Sequence, residues 1–107
     1  MTVTIQISDT IAQHLKNLAL GQATDINQKL TTLLEAEYRR RLTRYNLVDR
    51  QLRQKYSMDF DQFEAQQITA KQDYTWDVES DAMAWETAID GIETIQRRLA
   101  DLLYVYN

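Results

Sequence analysis

The chain has 107 residues, with twelve Lys or Arg against sixteen Asp or Glu, one His, no Cys, no Pro and two Gly. A chain of this length is expected to form one domain with at most an appendage. The missing cysteines exclude disulfides and thiolate chemistry, and the lack of any apolar run of about 18 residues excludes a spanning helix. With glycine confined to Gly21 and Gly91 and proline absent, long helices are expected to dominate. The start lacks the charged-then-apolar layout of a secretory signal, which points to a cytoplasmic location.

The net charge of −4 conceals a segregation along the chain. Residues 1–34 balance Lys16 and Lys29 against Asp9 and Asp25. Residues 35–56 hold seven basic and three acidic side chains, a local +4, whereas residues 57–107 set eleven acids against Lys71, Arg97 and Arg98, a local −8. Such an acidic block serves either solubility or a basic protein partner.

In chain order, Thr2 to Ile7 alternate apolar and polar, which predicts a strand with Val3, Ile5 and Ile7 on one face and Thr2, Thr4 and Gln6 on the other. A lone strand leaves its backbone groups unpaired, so the pattern asks for the same strand from a second copy, antiparallel across a two-fold axis. Its outward face would suit a DNA major groove. Pairing with Tyr104-Val105-Tyr106 of the same chain is the alternative. Ser8 or Asp9 then caps a helix with Ile11, Leu15, Leu18 and Leu20 on its apolar side, and Gly21 stands where a left-handed C-cap is wanted. Thr24 and Asp25 open a second helix striped by Ile26, Leu30, Leu33 and Leu34, with Asp25 and Gln28 at capping-box spacing.

This stretch resembles the ribbon-helix-helix family of DNA-binding proteins, many of which are antitoxins of toxin–antitoxin modules. The likeness covers about the first forty residues: the Thr2–Ile7 strand, Ser8-Asp9, the Ile11/Leu15/Leu18 helix, the turn from Gly21 to Asp25, and the helix with Ile26, Leu30 and Leu34. It implies a mainly α fold with an N-terminal ribbon-helix-helix (one intermolecular β-strand plus two helices) followed by long helices, in an obligate homodimer. The implied dimer core is Val3, Ile5, Ile7, Leu15, Leu18, Ile26, Leu30 and Leu34. Bases would be read by Thr2, Thr4 and Gln6, and phosphates held at the second helix N-terminus by Ala23 and Thr24, beside the opposing charge of Asp25.

Leu30, Leu34, Tyr38, Leu42, Tyr45, Val48, Leu52 and Tyr56 recur at steps of three or four, so the second helix is expected to extend to Tyr56. It either continues into a two-chain bundle or breaks near Asn46 and folds back. Glu35–Arg39, Glu37–Arg41 and Asp49–Arg53 stand at supporting i,i+4 spacing. The Arg39, Arg40, Arg41 and Arg44 cluster reads as a solvated helical face. Ser57-Met58-Asp59 marks a break, after which Asp59 and Gln62 cap a short helix over about 58–67 bearing Phe60, Phe63 and Ile68. Thr69 to Thr75 reads as a loop, with Tyr74 and Trp76 as anchors of a satellite core. A third major helix is predicted over about 77–103, with a seam of Val78, Ala82, Trp85, Ile89, Ile92, Gln96, Leu99 and Leu103. Gln96 would set register, and Gly91 would admit a close helix neighbour.

The domain reading is therefore residues 1–45 for dimerisation and DNA, and residues 46–107 as a helical partner-binding region. Trp76, Asp77, Glu79, Asp81, Trp85, Glu86 and Asp90 are its candidate contacts to a small basic toxin protein, with Asp and Glu mimicking RNA phosphates and the tryptophans as anchors. The expected partners are a second copy, with pairing of dimers into a tetramer left open, operator DNA and the toxin, with no membrane. No catalytic residue, metal or cofactor is expected: His14 stands alone, no glycine-rich loop is present, and Glu86, Asp90 and Glu93 read as a solvated face. The leading expectation is an antitoxin-like transcriptional repressor rather than an enzyme. A structural or protein-interaction helical dimerisation module without DNA binding is the alternative.

Overall fold

A computed structural model describes residues 1–73 and 75–106. Among them every regular element is helical: α1 (Asp9–Asn17), α2 (Ile26–Tyr56), α3 (Phe60–Ala65), α4 (Ile68–Lys71) and α5 (Trp76–Tyr106). No helix of the described residues is long and apolar enough to cross a membrane. The chain divides into two compact units, Met1–Ala36 and Glu37–Asn107.

The ribbon-helix-helix fold is overturned, because the strand it requires is not formed. Residues 1–8 carry no regular structure, and Val3 and Ile5 are 84% and 74% exposed. A strand needs a neighbouring backbone edge for its N–H and C=O groups, and the rest of the described chain has committed that backbone to helices and turns. Pairing with the C-terminus fails for the same reason. Tyr104, Val105 and Tyr106 lie in α5, while Asn107 falls outside the described residues.

In the N-terminal unit, the Ser8 hydroxyl caps α1 by accepting the Ile11 amide at 3.2 Å. The helix ends at Asn17, earlier than the apolar spacing predicts, and Gly21 takes its left-handed φ of 57° in the turn beyond. A glycine cap is unnecessary there because the Lys29 ammonium donates to the carbonyls of Leu15 and Lys16, both at 2.9 Å. A cation on those orphan carbonyls also suits the helix dipole. At the start of α2, Asp25 Oδ1 accepts the Gln28 amide at 2.8 Å, and Gln28 Oε1 accepts the Thr24 amide at 2.8 Å. The capping box is thus present with its return bond moved one residue back.

α2 runs unbroken through Asn46, as a stretch without glycine or proline can. Ion pairs one turn apart support it: Glu37 with Arg40 and Arg41 on the surface, and the half-buried Asp49 with Arg53. In the second unit α2 and α5 lie antiparallel. Tyr56 meets Asp81, Asp49 meets Trp85 and Tyr45 meets Gly91, so numbers fall along one helix as they rise along the other. Between them at one end sits the core, with Trp85 fully buried and Leu52, Phe60, Phe63 and Val78 around it. Phe63 lies edge-on to Tyr56 at 4.9 Å and tilted to Trp85 at 5.1 Å, arrangements that aromatic rings favour.

A full capping box between Asp59 and Gln62 starts α3 and turns Phe60 and Phe63 inward. Ile68 belongs not to that helix but to α4, one helical turn inside the stretch expected to be loop. The connections use Ser57, Gln67 and Asp73 at φ of 53–55°, left-handed positions filled by polar residues. The expected seam of α5 also shifts. Gln96 is exposed and Ile95 is 3% exposed, because the buried positions Trp85, Ala88, Ile95 and Leu99 follow the true helical pitch. Trp76 is 77% exposed and anchors no core; Tyr74 falls outside the described residues.

Candidate functional site

The N-terminal unit holds one buried apolar side chain, Leu15. Of the other residues expected in a dimer core, Val3, Ile5, Ile7, Leu18, Ile26, Leu30 and Leu34 are all exposed, joined by Met1, Ile11 and Leu33. Ile26, Leu30, Leu33 and Leu34 follow i, i+4, i+7, i+8 and so share one side of α2. Large aliphatic side chains gathered on one helical side and left exposed are the kind of surface that marks an association site. The unit has an amphipathic design whose apolar side is uncovered.

The residues expected to touch DNA are arranged differently from that expectation. Thr2, Thr4 and Gln6 sit in the unpaired leading segment, with no ribbon to aim them. At the α2 N-terminus the Ala23 amide donates to the Leu20 carbonyl at 3.0 Å. The Thr24 and Gln28 amides are taken by side chains of the same turn. The two amides expected to hold a phosphate, those of Ala23 and Thr24, are therefore already engaged.

In the second unit the expected partner contacts separate into two kinds. Trp76, Asp77, Glu86 and Asp90 are exposed, whereas Trp85 is 0% exposed and cannot serve as a surface anchor. Its indole instead donates to Asp49 Oδ1 at 2.9 Å, and Arg53 Nε donates to the same carboxylate at 3.1 Å. Asp81 is also structural: it accepts from Lys55 at 2.5 Å and from the Tyr56 hydroxyl at 2.6 Å. Burial works against its charge, but these two hydrogen bonds outweigh that and hold its carboxyl below the ordinary range. Burial, then the bond to Asp81, pushes the Tyr56 phenol up to about 12. On the surface, hydrogen bonds from Arg40 and Arg41 pull Glu37 down to about 2.

Among the described residues no group of three His, Asp or Glu is placed to hold a metal. His14 is exposed on α1. Two structural bonds of polar residues are not foreseen from the sequence, the Lys29 clamp on α1 and the bond from Trp85 to Asp49. Lys29 stands between Ile26 and Leu33 on the apolar side of its helix, and Asp49 stands between Tyr45 and Leu52. In both cases a charge inside an apolar stripe is the signal, since such a group persists only where a partner satisfies it. Comparison with known proteins returns no matching family model, no matching curated protein and no matching solved structure.

Proposed function

We propose that this chain is a protein-association module, in which residues 1–36 complete their core against the surface of another polypeptide. The observation that carries this reading is the uncovered apolar side of the N-terminal unit, with ten large apolar side chains exposed around one buried leucine. Each Val, Leu or Ile taken out of water contributes roughly 1.5–3 kcal/mol, so covering four or five of them stabilises a unit that is otherwise thinly packed. Charges in residues 1–34 cancel, so the covering surface is selected by shape and apolarity. Operator binding rests on a paired strand, which residues 2–7 do not form, and it is not part of this reading. The role is association rather than catalysis.

Hydrogen exchange and sedimentation on the full chain test it. The amides of α1 and of residues 26–36 should exchange fast in dilute solution and become protected once a second copy or another protein binds. Replacing Leu30 and Leu34 together by Asp should abolish that association and leave unfolding of the second unit unchanged. A monodisperse single chain whose N-terminal amides exchange as slowly as those of α5 defeats the proposal.

A further inference from the structure

A second surface, separate from the N-terminal face, lies wholly within the second unit. On one side of the antiparallel pair, small residues of α5 (Ser80, Ala84, Thr87 and Ala88) leave a groove of about 420 Å³ against Tyr45 and Val48 of α2. Trp76 and Met83 flank it at 77% and 66% exposure, large apolar side chains left uncovered among the described residues. Past Tyr45 the groove continues into a second hollow of about 340 Å³, reaching Arg98. Tyr45 is common to both hollows, and its ring can lie flat there because residue 91 is glycine. A Cβ on Gly91 would stand 2.5 Å from the ring.

Charge changes along this groove. The Trp76 end is apolar, with Arg44 at its margin; the far end is lined by Arg41 and Arg98 against one carboxylate, Asp90. Arg41 is paired with Glu37. Arg44 and Arg98 have no hydrogen-bond or ion-pair partner among the described residues. An acidic chain of net charge −4 thus keeps two unpaired guanidinium groups beside an uncovered apolar groove. From Trp76 to Arg98 the groove spans about 33 Å at 1.5 Å per residue. A third helix laid along two packed helices matches both the length and the ridge-and-groove surface.

We infer that this groove docks an amphipathic helix of a protein partner, with large apolar side chains toward Trp76 and Met83 and Asp or Glu toward Arg44 and Arg98. Nucleic acid suits the groove less well, since its apolar half offers a phosphate backbone a single cation, Arg44, at its margin. This partner site goes beyond the association of residues 1–36 and stands or falls independently of it.

The test is selection of a displayed library of randomised helical peptides on the immobilised full chain, followed by fluorescence anisotropy with the selected peptides. Retained peptides should carry Leu, Phe or Trp on one face and Asp or Glu toward one end. Arg44→Glu with Arg98→Glu, or Met83→Glu alone, should weaken them about tenfold to a hundredfold while helicity and unfolding midpoint hold. Leu30→Asp should leave their binding unchanged, which separates this site from the N-terminal face. The inference is overturned by any of four results: no retained peptide, retained peptides without the apolar–acidic pattern, indifference to the arginine reversals, or displacement by an oligonucleotide. Self-association abolished by Met83→Glu would assign the groove to a second copy and overturn it as well.

Discussion

In residues 1–36, Leu15 is the buried apolar side chain and ten large ones are exposed; among the described residues of 37–107, eight apolar side chains are buried and four large ones exposed. Both regions are built from amphipathic helices with side-chain caps, so local helix chemistry does not separate them. What separates them is the supply of aromatic volume and a return helix. Phe60, Phe63 and Trp85 fill the space between α2 and α5, and each covers part of the others. The short α1 has only aliphatic residues to offer and closes on α2 mainly through the Lys29 clamp. A well-formed helix and a covered helix are thus different achievements, and only the second needs a partner of matching shape.

The contrast breaks or sharpens under mutation. The largest effect is expected for Trp85→Ala, which empties the most buried position and strips the Asp49 carboxylate of its indole donor. A loss of about 3–5 kcal/mol from the second unit should appear in denaturant unfolding followed by circular dichroism. No single truncation among the exposed N-terminal aliphatics should approach that value in a dilute chain.

Gly91→Ala is next. The new methyl meets the Tyr45 ring, so overpacking of about 1–3 kcal/mol should outweigh the gain of about 1 kcal/mol in helix propensity. Adding Tyr45→Leu should restore stability, which a double-mutant cycle reads directly.

Lys29→Met tests the other region. Two charge-assisted bonds to the end of α1 are lost, and a local cost of about 1–2 kcal/mol should show as faster exchange of the α1 amides. Unfolding of the second unit should not move. If it does, the two regions are energetically one.

The smallest effect is confined to alkaline solution. The Tyr56 phenol ionises near 10.0 when unfolded and is raised to about 12 when folded. Its contribution is fully present below pH 10 and is lost as pH rises toward 12, because the unfolded chain then releases a proton that the folded chain keeps. Stability should fall across that window, and Tyr56→Phe should flatten the fall in a pH series of unfolding midpoints. Asp81 acts in the opposite sense at low pH: its lowered pKa means stability is lost as acid protonates it.

Helix content, the Asp59–Gln62 capping box and the position of α5 were legible in the sequence, because each depends on residues within a few positions of one another, whereas periodicity carried α2 toward Tyr56 and left a break near Asn46 open. The strand at residues 2–7 was not legible, since alternation says which way side chains would point without supplying the edge that a strand must pair with. Nor could periodicity distinguish Ile95 from Gln96, adjacent positions whose burial depends on the angle at which α2 crosses.

By itself the sequence determined a mainly helical chain, the capped starts, and a basic middle followed by an acidic remainder. Tertiary structure alone decided that Trp85 is core while Trp76 is surface, that Lys29 and Asp49 hold structural bonds, and that a groove opens beside Tyr45. The physical reason is range. Propensity and capping act over one helical turn, whereas burial is a property of a residue and whatever lies across from it, and that neighbour is distant in the chain.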